Sequence, residues 1–157
     1  MVECADLLSS LGTVDVFLSK AAEEVLKMYR LESKISQVGK GVIRDNMASA
    51  PIVARFARGV YRVLIIAPAT SNSVAKFAYG ISDSLITNIF AQTGKSRVPI
   101  IVLPTDVSPE MDSQGPSGKL VKVYPRPIDL ENVDRLRQFP GVTVVRDMEE
   151  LRACLDT

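Results

Sequence analysis

The chain has 157 residues, of which 46% are hydrophobic, so it can bury the core of one ordinary domain. Its 19 basic and 18 acidic residues nearly cancel, and no apolar run approaches the ~20 residues of a membrane span, so neither a nucleic acid nor a membrane is expected as a partner. Histidine is absent, which excludes Ser-His-Asp and Cys-His catalysis. Any chemistry must therefore be carried by other side chains or by a cofactor, and we expect no metal site.

Hydrophobic periodicity predicts strands and helices in alternation. The two runs at 61–67 and 98–104 are apolar on both faces, as is typical of central parallel strands covered on each side. In chain order we predict a helix over 2–11, a strand over 13–18, a helix over 20–32, a loop over 33–50, a helix over 50–59, a strand over 61–67, helices over 74–94 interrupted near Gly80, a strand over 98–104, an edge strand or loop arm over 118–124, a helix over 129–139 capped by Asp129, a strand over 141–145 and a helix over 147–155.

This alternation indicates βαβ units, and hence an α/β fold with a three-layer, doubly wound parallel sheet. We expect residues 1–157 to form a single domain, because no internal repeat or composition break divides them. Doubly wound sheets usually begin with a central strand, whereas the first predicted element here is a helix. Either the sequence begins inside the fold, which we favour, or the sheet is built differently.

Small polar side chains follow three of the predicted strands. They are Ser19, the stretch at 68–73 and the pair Thr105 and Asp106. Ligands of open α/β sheets bind beyond the carboxyl ends of the strands, where helix N-termini offer unpaired N–H groups. Ser19 and Thr70 could equally be plain helix caps, but a cap leaves the neighbouring Asn72 unexplained.

The segment at 67–88, which reads APATSNSVAKFAYGISDSLITN, resembles the signature of a known superfamily. Residues 68–73 are similar to its PASANT stretch, and Lys76, Ala78, Gly80, Asp83 and Leu85 match the run that follows. The superfamily is that of the homo-oligomeric flavin-containing cysteine decarboxylases (HFCD). Residues 14–26 and 98–106 also resemble it, especially its archaeoflavoprotein and dihydromethanopterin reductase branch, so the likeness covers most of 13–150.

The resemblance implies a flavodoxin-like, Rossmann-like sheet that lacks the family's first strand and binds FMN at its carboxyl edge, at a subunit interface of a trimer. It further implies an oxidoreductase or electron-transfer protein in the form of a homotrimer or an assembly of trimers, with a pterin or an iron–sulfur protein as redox partner. It assigns no catalytic residue. The implied FMN-binding residues are Ser19, Ala67, Pro68, Ala69, Thr70, Ser71, Asn72, Ser73, Asp83, Thr105 and Asp106.

Two alternatives remain open. A flavin-dependent decarboxylase or prenyltransferase of the same superfamily would need a proton-handling group, and the family's catalytic histidine has no counterpart in 45–56, so Asp45, Asp83 or Asp106 would have to serve. The second alternative is a non-catalytic oligomeric subunit that has lost its cofactor site.

Two further features have a structural and a functional interpretation. Asp83 either caps the helix at 82–94 or lines the flavin pocket, and residues 105–119 form either a surface loop or a lid over the flavin. The arginines at 126, 135 and 137 are predicted to lie on a solvated helix face. The two cysteines form no CxxC pair, which favours reduced thiols in a cytoplasmic protein.

Overall fold

The computed structural model describes residues 2–11, 13–38, 41–45 and 49–156. Parts of the predicted loop at 33–50 therefore lie outside the described residues. The helices are α1 (Val2–Ser10), α2 (Lys20–Met28), α3 (Glu32–Ser36), α4 (Ser49–Ala57), α5 (Ser71–Tyr79), α6 (Leu85–Lys95), α7 (Pro127–Arg137) and α8 (Met148–Leu155). The strands are β1 (Val16–Leu18), β2 (Val42–Arg44), β3 (Leu64–Ala69), β4 (Ile100–Pro104), β5 (Met111–Gln114), β6 (Leu120–Val123) and β7 (Val142–Val144).

The main sheet is parallel and has the order β3-β4-β7, with Ile65 opposite Ile101 and Ile101 opposite Thr143. All five residues of β4 are buried, as expected of a middle strand covered on both faces. Strands β1 and β2 form a second parallel pair, and β5 and β6 form an antiparallel hairpin. The prediction that β3 is a central strand is wrong for the described part of the chain, where β3 pairs with β4 alone.

Helices cover both faces of this sheet. Along β4, side chains alternate between the two faces, because successive residues of a strand point in opposite directions. Ile100 and Val102 join a core formed with helices α4 to α7, whereas Ile101 and Leu103 join a core with α1 and α8. The three-layer α/β fold predicted from the sequence is therefore confirmed. Within the described ranges, no helix is long and apolar enough to cross a membrane.

Three local predictions are corrected by the structure. The predicted loop at 33–50 contains helix α3 and strand β2, which are too short for hydrophobic periodicity to reveal. The predicted loop at 105–119 contains β5, which has a single apolar residue, Met111, and so lacks an apolar alternation. Helix α7 begins at Pro127 rather than after Asp129, because proline is favoured in the first turn of a helix.

Candidate functional site

The loops that follow β3 and β4 are joined at the carboxyl edge of the main sheet. The backbone N–H of Thr105 donates a hydrogen bond of 2.8 Å to the carbonyl oxygen of Ala69. The Ser71 hydroxyl donates to Oδ2 of Asp106, and the Thr105 hydroxyl lies 3.3 Å from the same oxygen. Two of the three predicted polar segments therefore meet, and we call the Ser71, Thr105 and Asp106 group the rim cluster.

Small residues connect β3 to the rim cluster. The register between β3 and β4 shifts between Ile66 and Ala69, and the peptide bond between Ala67 and Pro68 is cis. Ala69 is buried, whereas Ala67 and Pro68 are half-buried. Because β3 ends at Ala69 and α5 begins at Ser71, only Thr70 separates the strand from the helix.

The first turn of α5 contains both a cap and an unused amide. Thr70 is the N-cap, and its hydroxyl accepts a hydrogen bond of 3.4 Å from the backbone N–H of Ser73. The hydroxyl oxygens of Thr70 and Ser73 lie 3.3 Å apart. Asn72 is exposed, and within the described contacts its side-chain amide makes no hydrogen bond. The cap interpretation is thus right for Thr70 but gives Asn72 no role.

Ser19 lies at the end of β1, in the second parallel pair. Its hydroxyl caps α2 by accepting a hydrogen bond of 3.1 Å from the backbone N–H of Ala22. Nearby, Asp45 follows β2, and its carboxylate accepts a hydrogen bond of 2.9 Å from the backbone N–H of Leu85 at the start of α6. No described contact joins Ser19 to the rim cluster.

Asp83 lies apart from the rim cluster. Its carboxylate pairs with the ammonium group of Lys76 at 2.8 Å, beside the second half of α5. The hydrogen bond from Lys76 holds the pKa of Asp83 below its ordinary value. The cap of α6 is Ser84, whose hydroxyl accepts from the N–H of Thr87, so the prediction that Asp83 caps this helix is wrong.

Arg126 and Asp129 form a clamp that the sequence analysis missed. Arg126 is the N-cap of α7, and its guanidinium donates to both carboxylate oxygens of Asp129, from Nε at 3.0 Å and from Nη2 at 2.8 Å. The backbone N–H of Arg126 donates to the same carboxylate at 3.0 Å. The hydrogen bond from Arg126 lowers the pKa of Asp129. The sequence signal was Pro127, which fixes the N-cap at 126 and places Asp129 three residues later.

A family model described as Flavoprotein matches residues 1–157 of this chain. Among solved structures, DmrB of Burkholderia xenovorans, crystallised with FMN and described as a cubic protein cage for redox transfer, superimposes with a TM-score of 0.88 at 42% identity. That superposition covers 99% of this chain and 86% of DmrB.

Curated relatives come from Methanocaldococcus jannaschii and Methanosarcina mazei. An uncharacterized protein of Methanocaldococcus jannaschii is 38% identical over 140 residues, which cover 88% of this chain and 75% of that protein. A dihydromethanopterin reductase (acceptor) of Methanosarcina mazei is 44% identical over 111 residues, which cover 66% of this chain. The chain spans less than half of that reductase, since the match covers 46% of it.

Proposed function

Because this chain belongs to the flavoprotein family, we propose that it is an FMN-dependent oxidoreductase whose rim cluster holds the flavin. The cofactor is FMN, as predicted from the sequence, since a relative that is 42% identical along almost the whole chain was crystallised with FMN. That similarity to a redox-transfer protein is the observation that carries the proposal. We further propose that residues 1–157 form a single flavoprotein domain.

The side chains at the rim match the chemistry of FMN. The ribityl chain and the pyrimidine edge of FMN carry hydroxyl, carbonyl and N–H groups, which need both donors and acceptors. Ser71, Ser73 and Thr105 supply hydroxyls, and Asp106 supplies an acceptor. The Asn72 amide can both donate and accept, and it is unused in the first turn of α5. These residues, with the backbone of 67–70, would hold the flavin.

Ser19 is proposed to contact the phosphate group, because the first turn of α2 leaves backbone N–H groups without partners inside the helix. Asp83, which pairs with Lys76, is retained as a proposed contact on the resemblance alone.

The protein's own contribution is to bind, orient and shield the flavin. FMN, when bound, supplies the ability to accept and release a hydride or electrons. The hydrogen bond from Ser71 fixes the Asp106 carboxylate, so that an acceptor oxygen points from a rigid position at the sheet edge. Thr105 and Asp106 follow directly on β4, whose five residues are all buried.

We also propose a homo-oligomer, specifically a trimer or an assembly of trimers. DmrB forms a cubic cage, and this chain has an arm that suits such contacts. The hairpin β5–β6 exposes the apolar side chains of Leu120, Val121 and Val123, and Tyr124 follows directly. Because Leu120 and Val121 point to opposite faces of their strand, each face of the arm exposes an apolar side chain.

We propose a pterin substrate because two relatives are dihydromethanopterin reductases, and an iron–sulfur protein as the second redox partner on the family resemblance alone. A cytoplasmic location is proposed on the free thiols of Cys4 and Cys154. Anaerobic mixing of the reduced protein with a dihydropterin, and of the oxidised protein with reduced ferredoxin, tests each partner by the change in flavin absorbance.

An absorbance spectrum tests the central proposal. The protein is incubated with FMN, desalted and reduced anaerobically, and we expect a retained flavin spectrum that bleaches and returns on reoxidation. A protein that is colourless after incubation with excess FMN and desalting would instead support the non-catalytic subunit. A dodecameric FMN-dependent UbiX-like decarboxylase of Escherichia coli is 16% identical to this chain and superimposes with a TM-score of 0.66, over 94% of this chain and 73% of that chain. Because identity this low shows only a shared fold, a decarboxylase is not favoured.

A further inference from the structure

The guanidinium of Arg126 lies at the same edge of the sheet as the rim cluster. Helices α5 and α7 pack side by side, and Arg135 near the end of α7 donates a hydrogen bond of 3.0 Å to the carbonyl oxygen of Ala78 near the end of α5. The two helices are therefore parallel, and the start of α7 lies beside the start of α5. The hydrogen bond to Asp129, and to a smaller extent the charge of Asp106, raises the pKa of Arg126, and the Asp106 contribution fits this placement.

The clamp holds the guanidinium rigid while leaving most of it exposed. The Arg126 side chain is 74% exposed, whereas that of Asp129 is 8% exposed. An arginine has five N–H donors, and Asp129 engages one on Nε and one on Nη2. Among the described residues, no acceptor meets the other three. A preorganised arginine of this kind is suited to binding anionic groups.

Helix capping alone does not account for this arrangement. The cap needs only one acceptor for the backbone N–H of Arg126, which Asp129 provides at 3.0 Å and an asparagine could provide as well. The two side-chain hydrogen bonds are additional, and they fix the direction of a cation that would otherwise be mobile in solvent.

We propose that Arg126 is an anion-recognition residue of the flavin site and that Asp129 is the positioning residue that aims it. The proposal rests on the proposed function, with FMN at the rim. The bound group is a negatively charged oxygen or nitrogen, which belongs either to the ring edge of the reduced flavin or to the electron acceptor.

The test uses FMN-loaded wild-type protein and Arg126→Gln, and it separates these two sources. The first readout is the two-electron reduction potential. If Arg126 contacts the flavin, R126Q binds reduced FMN about tenfold more weakly relative to oxidised FMN, which lowers the potential by about 30 mV.

The second readout is the rate at which the reduced protein is reoxidised, each flavin giving its two electrons to two ferricyanide ions or to one neutral benzoquinone. If Arg126 binds the acceptor, R126Q slows reoxidation by ferricyanide about tenfold. The rate of reoxidation by benzoquinone and the reduction potential then stay unchanged.

Two controls guard the result. Arg137→Gln removes the same charge from the far end of α7, where Arg137 pairs with Asp134. This variant measures how net charge alone changes the rate of reoxidation by ferricyanide. The double variant R126Q and D129N removes both halves of the clamp, so that no buried carboxylate is left unpaired, and it should reproduce the effect of R126Q.

Equal potentials and equal rates for wild type, R126Q and R137Q would overturn this inference alone. A wild-type protein that retains no FMN would overturn the proposed function together with it.

Discussion

The hydroxyl of Ser71 donates a hydrogen bond to the carboxylate of Asp106, and this single contact joins the helix that follows β3 to the loop that follows β4. Both hydrogen bonds to this carboxylate fall on Oδ2, from Ser71 and from Thr105, so Oδ1 accepts none within the described contacts. One oxygen of Asp106 thus fixes the side chain in place. The other is left to accept a hydrogen bond from a ligand.

Replacing Ser71 with alanine should weaken FMN binding. The substitution releases Asp106 and removes a ligand-facing hydroxyl, and we expect the Kd for FMN to rise about tenfold, in keeping with the loss of a hydrogen bond to a charged group. Fluorescence titration with FMN measures the change. Ser96→Ala is the matched control, because the Ser96 hydroxyl bonds to the carbonyl oxygen of Gln92 at the opposite end of the sheet. Equal Kd values for S71A, S96A and wild type would contradict the rim site.

Ser19→Ala separates a cap from a phosphate contact. Loss of the N-cap should lower the free energy of unfolding by about 1 kcal/mol. Asp147→Ala is matched in this respect, since Asp147 caps α8 by accepting a hydrogen bond of 2.8 Å from the N–H of Glu150. We expect both variants to lose similar stability in urea, but only S19A to bind FMN more weakly. If S19A and D147A bind FMN equally well, Ser19 is a cap and nothing more.

The parts of the fold that the sequence predicted are those where burial leaves a periodic pattern. β4 is buried at all five residues, and its apolar run was read correctly as a central strand. β3 gives the same apolar pattern, so the sequence could not reveal that it pairs with β4 alone in the described part. Short or exposed elements such as α3, β2 and β5 carry too few apolar residues for either period.

The candidate site was predicted unevenly for a related reason. The general rule for open sheets located Thr70, Ser71, Thr105 and Asp106, because they stand directly after two strands of apolar sequence. Arg126 follows an exposed hairpin, and its side chain is as exposed as predicted. What the sequence could not show is that Asp129 is buried beneath it, because that burial depends on how α7 packs against the rest of the fold.

A charge on the β5–β6 hairpin should disrupt the proposed oligomer. Leu120 is 65% exposed and lies in an arm of only two strands, which is rarely stable without a partner. We expect Leu120→Lys to reduce the mass measured by light scattering, because burying an unpaired charge in a subunit contact is unfavourable. Val60→Lys is the control, since Val60 is also exposed but lies between α4 and β3. An unchanged mass for L120K would contradict a role of the hairpin in assembly.

A half-buried cluster at the amino edge of the sheet gives a prediction about pH. The Tyr61 hydroxyl and a guanidinium N–H of Arg55 each donate a hydrogen bond of 2.7 Å to Oδ2 of Asp15. The Tyr61 ring packs against Phe56, with 4.4 Å between centroids. Burial, followed by the hydrogen bond to Asp15, raises the pKa of Tyr61 well above its ordinary value.

Tyr61→Phe should therefore make the protein less sensitive to alkaline pH. Because the pKa of Tyr61 is higher in the folded state than in the unfolded chain, its stabilising contribution is complete below about pH 10 and is lost as the pH rises through the folded-state value. At neutral pH we expect Y61F to lower the free energy of unfolding by about 1 kcal/mol, through the lost hydrogen bond to Asp15. Above pH 10 the difference from wild type should shrink, as measured by urea unfolding at several pH values. Tyr124→Phe changes an exposed tyrosine, so its free energy of unfolding should follow that of the wild type at every pH. A difference in unfolding free energy between Y61F and wild type that stays constant above pH 10 would rule out Tyr61 as the titrating group.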